Sequence, residues 1–206
     1  TPEGHFPIHL KGVKRMVDKV TSYGPDVILV DTTGFVSGEG GRELKRKKID
    51  LVCPRFILAL QKDDELEPIL EQYKENALYK IFRLPLSEQV RAKSMEERRT
   101  NRTNKFRNYF KYSAVQELAM EGVQIEGEVL DPNGAPLPLD WALKMNSLLI
   151  GLKDEMDDTL ALGLTKNYFE EKKALRLSTP LQEIQKVKTI QLSSLRLLLL
   201  YEEENS

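Results

Sequence analysis

The chain has little cysteine and little histidine. Its 206 residues include one cysteine, Cys53, and two histidines, His5 and His9. A single cysteine excludes a disulfide framework within the chain and is typical of a reducing compartment, so we expect a cytoplasmic protein. No Cys/His spacing in the sequence is typical of a zinc site.

Long apolar runs are also missing. No stretch approaches the roughly 20 apolar residues that span a bilayer, and no secretory signal pattern is present, so we expect no membrane partner. Positive and negative charges nearly balance, with 31 Lys and Arg against 32 Asp and Glu. A surface that binds a polyanion therefore has to come from local clusters of charge. Apolar residues make up 40% of the chain, which argues against wholesale disorder.

The first half of the chain alternates between apolar runs and helical patterns. The apolar runs 27–30, 56–60 and 79–84 are typical of strands covered on both faces of a parallel sheet. The segments 6–22 and 42–52 have the spacing of amphipathic helices. This alternation predicts an α/β domain with a parallel sheet.

A capping box and a change of pattern mark the second half. Ser94 and Glu97 predict the start of a helix that runs to about Tyr112, and we expect a further helix over 114–120. After Gly122, short apolar runs separated by Gly, Pro, Asn and Asp indicate a small β-rich domain. We therefore predict an α/β domain over 1–121 and a β-rich C-terminal domain over 122–206.

The sequence VILVDTTGF, residues 27–35, is the first candidate site. An apolar strand that ends in Asp resembles a Walker B strand, because Mg²⁺ on a nucleotide takes a hard carboxylate, often through water, at a sheet edge. Gly34 would let the backbone approach a phosphate. Asp31, Thr32, Thr33 and Gly34 are thus candidate nucleotide-binding residues, and Asp31 is the candidate Mg²⁺ residue. The alternative is an ordinary strand that ends in a helix-capping Asp.

The segment 88–112 carries eight Lys and Arg residues against three Glu residues. Arg98, Arg102 and Lys105 share one helix face, and Phe106 and Phe110 are placed to anchor the helix to the rest of the protein. Guanidinium groups suit phosphate oxygens, and a bridging anion would relieve the repulsion of like charges. The alternative is a solvated face with incidental charges.

Two other segments carry weaker signals. The cations of LKRKKIDLVCPR, residues 44–55, could line a nucleic-acid path, or the segment could be a solvent-facing amphipathic helix. Thr1–His5 precedes a predicted helix, whose start is a natural anion site, although a plain loop before a helix is the simpler interpretation.

Taken in order, these segments resemble the polynucleotide 5′-hydroxyl kinases of RNA processing, and the resemblance covers most of the chain. The segments that carry it are TPEGH, VDTTGFVSGEG, LALQKDDELEPIL and VRAKSMEERRTNRTNKFRNYF, with NSLLIGLKD and TLALGL resembling an appended β domain. The resemblance implies an incomplete P-loop NTPase-like domain with an Arg-rich lid over about 88–112. It also implies ATP-dependent phosphorylation of the 5′-hydroxyl end of RNA or DNA, with Mg²⁺, and RNA-processing proteins as partners.

The resemblance also assigns roles to residues. It implies that the lid closes over the transferring phosphate and that Asp31 lies beside Mg²⁺ and its water. Phe35 stands where the family often has Trp, and Phe can still stack on a base. The lid residues that it implies are Arg91, Arg98 and Arg102. The further nucleic-acid-binding residues that it implies are Thr1, Gly4 and Lys93.

The chain departs from the family in lacking a glycine-rich loop that ends in Gly-Lys-Ser or Gly-Lys-Thr. The family's second acidic motif, which supplies the expected catalytic base, would also precede Thr1. We therefore interpret the chain as a fragment that is inactive by itself. Two alternatives stay open: a P-loop GTPase or ATPase that acts as a switch or chaperone, and a non-catalytic adaptor that binds nucleotide or RNA.

Overall fold

The computed structural model describes residues 6–91 and 93–197. The chain forms two compact units, Thr1–Ala92 and Lys93–Ser206. The basic helix that was predicted within the first domain thus lies in the second unit. The domain boundary after residue 121 stays a prediction.

The first unit combines helices with a parallel pair of strands. Strands β1 and β2 pair in parallel from Phe56↔Lys80 to Gln61↔Pro85, which confirms two of the three predicted strands. Helix α2 ends where Cys53 adopts a left-handed conformation ahead of Pro54. The elements of this unit are α1 (Phe6–Ser22), α2 (Gly38–Val52), β1 (Phe56–Gln61), α3 (Glu67–Leu70) and β2 (Lys80–Pro85).

The predicted strand over 27–30 is wrong for the described structure. These residues are extended without a ladder, and Val27 and Leu29 are 81% and 82% exposed. A strand needs a hydrogen-bonded neighbour, and β1 pairs only with β2 among the described residues. The apolar composition of 27–30 therefore does not by itself produce a strand.

One face of the β1–β2 pair is apolar and exposed. It carries Phe56, Leu58 and Leu60 on β1 and Phe82 and Leu84 on β2. The opposite face carries the buried Ala59. A contiguous exposed apolar surface of this kind marks a place where protein normally packs against protein.

The second unit contains one long helix and a mixed sheet. In its described part, the six strands lie in the order β3-β7-β6-β5-β8-β4, and only β4 and β8 are parallel. This confirms the predicted β-rich C-terminal region. The elements are α4 (Met95–Phe110), β3 (Ala114–Ala119), β4 (Gln124–Glu126), α5 (Leu139–Lys144), β5 (Leu148–Lys153), β6 (Thr159–Phe169), β7 (Ala174–Thr179) and β8 (Thr189–Arg196).

The helix predicted over 114–120 is a strand instead. These residues form β3, which pairs with β7 from Ala114↔Thr179 to Ala119↔Ala174. Leu118 is buried in the core of the second unit. Ala, Gln, Glu and Leu favour helices locally, but pairing with β7 and burial of Leu118 override that weak preference.

The core of the second unit follows the alternation of its strands. Leu148, Ile150 and Leu152 on β5 are fully buried, and so are Leu175 and Leu177 on β7. Alternate residues of a strand point to the same face. Within residues 6–91 and 93–197, none of the helices has both the length and the apolar character of a membrane span.

Candidate functional site

The Asp-Thr-Thr-Gly segment forms an exposed loop between the apolar run 27–30 and helix α2. Asp31, Thr32, Thr33 and Gly34 are exposed, and Phe35 is half-buried. All of the nucleotide-binding candidates of this segment are therefore accessible to a ligand.

A buried lysine from α2 binds this loop. The Nζ atom of Lys45 donates a hydrogen bond to Thr32 Oγ1 at 2.7 Å and a second one to the backbone oxygen of Thr33. Lys45 is 8% exposed. The loop has no strand ladder among the described residues, and these bonds help to hold it on the helix.

Lys45 belongs to a buried stripe of α2 that the sequence interpretation missed. The stripe consists of Gly41, Leu44, Lys45 and Lys48, whose spacings of three and four residues place them on one helix face. The interpretation of 44–55 as solvent-facing is therefore wrong for two of its lysines. The signal was present, because both lysines stand in register with Leu44 and Gly41.

Burial and mutual repulsion shift the pKa values of this cluster. Burial, followed by the charge of Lys48, lowers the pKa of Lys45 to about 8, and the carboxylate of Asp31 partly offsets that change. Burial also lowers the pKa of Lys48. On α1, burial and then the charge of Lys48 lower the pKa of His9. Lys45, which binds the loop, therefore lies in a poorly solvated position beside a second positive charge.

The position of the loop also depends on Gly41. A Cβ atom at Gly41 would lie 2.9 Å from the carbonyl carbon of Val36, so the Phe35–Val36 backbone packs directly on α2. We expect Gly41→Ala to lower the free energy of unfolding by about 1–3 kcal/mol, the usual cost of overpacking. Urea denaturation of the 206-residue chain would measure this change.

Gly12 provides the matched control, because it lies inside α1 with no atom within 4 Å of an added Cβ. Gly12→Ala should raise the free energy of unfolding by about 0.5–1 kcal/mol, since alanine is the better helix former. Equal effects of the two substitutions would contradict the close packing at Gly41.

The lowered pKa of Lys45 gives stability a defined pH dependence. Between the folded pKa of about 8 and the ordinary lysine pKa of 10.5, the unfolded chain binds more protons at this site than the folded chain. Because of this difference, the free energy of unfolding increases as pH rises from about 8 to 10.5. Compared with Lys45→Met in urea denaturation, the wild-type chain should become relatively more stable across this window. A difference that stays constant or falls with pH would contradict the buried, charged state of Lys45.

Helix α4 begins as predicted. Glu97 N donates to Ser94 Oγ at 3.0 Å, and Ser94 N donates to Glu97 Oε2 at 2.7 Å, so both bonds of the capping box are present. Arg98 Nε donates to the backbone oxygen of Lys93 at 3.0 Å. The first turn of α4 is thus locally fixed.

The last turn of α4 anchors the helix to the second unit. Phe110 is 1% exposed, and Tyr109 Oη accepts a hydrogen bond from Leu162 N on β6 at 2.8 Å. Phe106 is partly buried. Phe110 therefore confirms the predicted anchor, and Tyr109 is an additional one.

The predicted lid arginines lie on the surface. Arg91, Lys93, Arg98 and Arg102 are all exposed. Asp31 belongs to the first unit and Arg98 and Arg102 belong to the second, so their convergence on one triphosphate stays a prediction. The candidates Thr1 and Gly4 lie outside the described residues.

The loop is suited to a magnesium ion that is held mainly by the bound nucleotide and by water. No group of three or more Asp, Glu, His or Cys side chains converges within 6–91 and 93–197. Mg²⁺ needs no such cage, because it usually takes one or two carboxylates, several waters and the phosphates of the nucleotide. The exposed carboxylate of Asp31 is suited to that role.

Residues 1–112 match the family model described as "mRNA cleavage and polyadenylation factor CLP1 P-loop". The chain belongs to this family. The match includes both the Asp-Thr-Thr-Gly loop and α4, so both candidate segments lie in the part of the chain that the family model covers.

Curated relatives of this CLP1 family member are archaeal proteins named polyribonucleotide 5′-hydroxyl-kinase. Those of Pyrococcus abyssi and Methanocaldococcus jannaschii are each 28% identical over 95% of the chain. That of Thermococcus kodakarensis is 40% identical over 63% of the chain and 35% of its own length. The chain spans 66% of the length of the first two relatives.

Solved structures of Clp1p with Pcf11p share the fold. Two of them are 17% and 18% identical to the chain, with TM-scores of 0.63 and 0.62. Each comparison covers 91% of this chain, and 52% and 51% of those chains respectively. At this identity the likeness supports the α/β fold with a β-rich C-terminal region.

Proposed function

We propose that this chain is part of a polynucleotide 5′-hydroxyl kinase that transfers the γ-phosphoryl group of ATP to the 5′-hydroxyl end of RNA or DNA. The observation that carries the proposal is the exposed Asp31–Gly34 loop, which Lys45 binds to α2 inside the family match. The names of the archaeal relatives support RNA as the substrate.

Within this proposal the loop binds the nucleotide. Asp31 would hold Mg²⁺, with water between them, and Thr32, Thr33 and Gly34 would bind the phosphates. Bound Mg²⁺ would neutralise charge that develops on the phosphate oxygens. Phe35 would stack on a base at the 5′ end.

The reaction is an in-line displacement. The 5′ oxygen of the nucleic acid forms a bond to the γ-phosphorus, the bond from that phosphorus to the bridging oxygen of ADP breaks, and the hydroxyl proton passes to a base outside the residues assigned above. Catalysis of this type consists mainly of positioning and charge stabilisation. A loop that positions the nucleotide and guanidinium groups that stabilise charge meet this requirement, and no covalent nucleophile is needed.

Helix α4 supplies the guanidinium groups. Arg98 and Arg102 are one turn apart on an exposed face, and together with Arg91, which precedes α4, they would close over the transferring phosphate. Lys93 would contact the nucleic acid. A guanidinium in this position acts as an arginine finger in cis.

The test is phosphoryl transfer by a longer protein that contains these residues. With ATP labelled at the γ-phosphate, an RNA bearing a 5′-hydroxyl should acquire label, whereas the same RNA bearing a 5′-phosphate should not. Binding and hydrolysis of GTP without labelling of the RNA would favour the switch class of P-loop protein. RNA binding without turnover would favour an adaptor, and either result would overturn the kinase proposal.

The proposal includes a cytoplasmic location and RNA-processing proteins as partners. A lone cysteine fits the reducing environment of the cytoplasm. Clp1p is solved in complex with Pcf11p, which supports a protein partner of this kind for the present chain.

A further inference from the structure

Two lysines of α2 are buried next to the candidate nucleotide loop. Lys45 and Lys48 are 8% and 7% exposed, although lysine is rarely buried without a partner. They are three residues apart and share the inner face of the helix. Their burial therefore needs a reason beyond the packing of Leu44.

We propose that Lys45 and Lys48 form a phosphate-binding subsite beneath the Asp31–Thr33 loop. This inference rests on the proposed function for the source of the phosphate, which is either the nucleotide or the nucleic-acid end. The two ammonium groups bind the phosphate oxygens, and Lys45 holds the loop at the same time.

The hydrogen-bonding capacity of the two ammonium groups supports the subsite. An ammonium group has three N–H donors. Lys45 uses two of them on Thr32 and Thr33. Lys48 makes no hydrogen bond or ion pair to another described residue. At least one donor of Lys45 and those of Lys48 are therefore available to the oxygens of a bound anion.

The balance of charge supports it as well. Asp31 is the one carboxylate among the described residues that stabilises the charge of Lys45, whereas the charge of Lys48 opposes it. Two close cations in a poorly solvated position repel each other. A phosphate group would supply the missing negative charge and form charge-assisted hydrogen bonds to both lysines.

A neighbouring lysine shows what an ordinary solvated cation on this helix looks like. Lys47 is exposed and forms an ion pair with Glu43 at 2.6 Å, one turn away on the same helix. It has the same charge as Lys48 and differs from it by one position. Lys47→Met is therefore the matched control for Lys48→Met.

The experiment measures binding of inorganic pyrophosphate to the 206-residue chain by calorimetry at pH 7. Lys45→Met and Lys48→Met should each weaken binding on the order of tenfold or more, the expected effect of losing a charged hydrogen bond. Lys47→Met should leave binding unchanged. Since the pKa of Lys45 is about 8, wild-type affinity should also fall as pH rises from 7 to 9.5.

Lys48→Arg tests whether Lys48 affects pyrophosphate binding through its charge or through packing. It keeps the charge, and we expect it to retain most of the affinity that Lys48→Met loses. Unchanged binding in Lys48→Met, or an equal loss in Lys47→Met, would overturn the subsite. Equal losses in Lys48→Met and Lys48→Arg would assign Lys48 to packing and would overturn it too.

The source of the phosphate is distinguished by repeating the binding measurement with ATP and with a 5′-phosphorylated RNA. Selective loss of ATP affinity in Lys48→Met assigns the subsite to the nucleotide, and selective loss of RNA affinity assigns it to the nucleic-acid end. Lysine-dependent pyrophosphate binding without kinase activity in the longer protein would support the subsite and refute the proposed function. Kinase activity, together with binding of all three ligands that does not depend on the lysines, would support the proposed function and refute the subsite.

Discussion

Replacing Arg98 or Arg102 with alanine should lower the kcat of a kinase-competent protein that contains this chain on the order of 10³-fold or more. The reason is that negative charge spreads over the oxygens of the transferred phosphoryl group in the transition state, where a guanidinium from a lid stabilises it. ATP and a 5′-hydroxyl RNA in a single-turnover assay would separate this chemical step from substrate binding and product release.

The same helix provides the control. Arg107 lies on the opposite side of α4 from Arg98 and is also exposed. Arg107→Ala should keep near-normal turnover, because its guanidinium points away from the proposed lid face. Near-normal turnover of both Arg98→Ala and Arg102→Ala would show that α4 is not the catalytic lid, and an equal loss in all three variants would indicate a general charge effect.

The 206-residue chain by itself should transfer no phosphate from ATP to a 5′-hydroxyl RNA. It contains no glycine-rich loop that ends in Gly-Lys-Ser or Gly-Lys-Thr. That loop supplies the backbone N–H groups and the lysine that hold the β- and γ-phosphates in P-loop enzymes. Without it, the γ-phosphate is not aligned with the attacking oxygen, and the large contribution of positioning is lost.

The assay should use γ-labelled ATP and a longer, loop-containing protein as the positive control. A cooperative urea transition of the 206-residue chain, measured in the same buffer, would show that inactivity does not reflect an unfolded sample. Robust labelling of the RNA by the 206-residue chain would mean that these residues assemble a phosphate site of another kind.

Local sequence patterns predicted the elements whose stability is decided locally. The Ser94–Glu97 capping box fixes the start of α4 through two bonds within one turn. The runs that became β1 and β2 are apolar and bounded by breakers such as Pro54. In these cases the residues that determine the structure are neighbours in the chain, so one sequence is sufficient to recognise them.

Elements that depend on distant partners were less predictable. β3 consists largely of residues that favour helices, and it is a strand because β7 pairs with it some 60 residues later. The run 27–30 has the composition of a buried strand but lacks a neighbour among the described residues. Pairing is a property of the fold as a whole, and a single sequence does not display it.

The candidate site shows the same division. The Asp31–Gly34 segment was recognisable from its composition, because carboxylate, hydroxyl and glycine suit a phosphate ligand. Lys45 and Lys48 were not recognised, since a run of cations normally lies in water. Their role depends on a loop 12 or 13 residues earlier in the chain that folds back onto α2.

The attachment of α4 through its last turn has a consequence for how this protein tolerates change. Phe110 and Tyr109 attach the last turn to the second unit, whereas the arginine-bearing turns contribute little buried surface. Substitutions of the exposed arginines in those turns should change the free energy of unfolding by no more than about 0.5 kcal/mol, as surface changes usually do. Variation among natural or engineered versions of this helix can therefore adjust the chemistry while the scaffold remains intact.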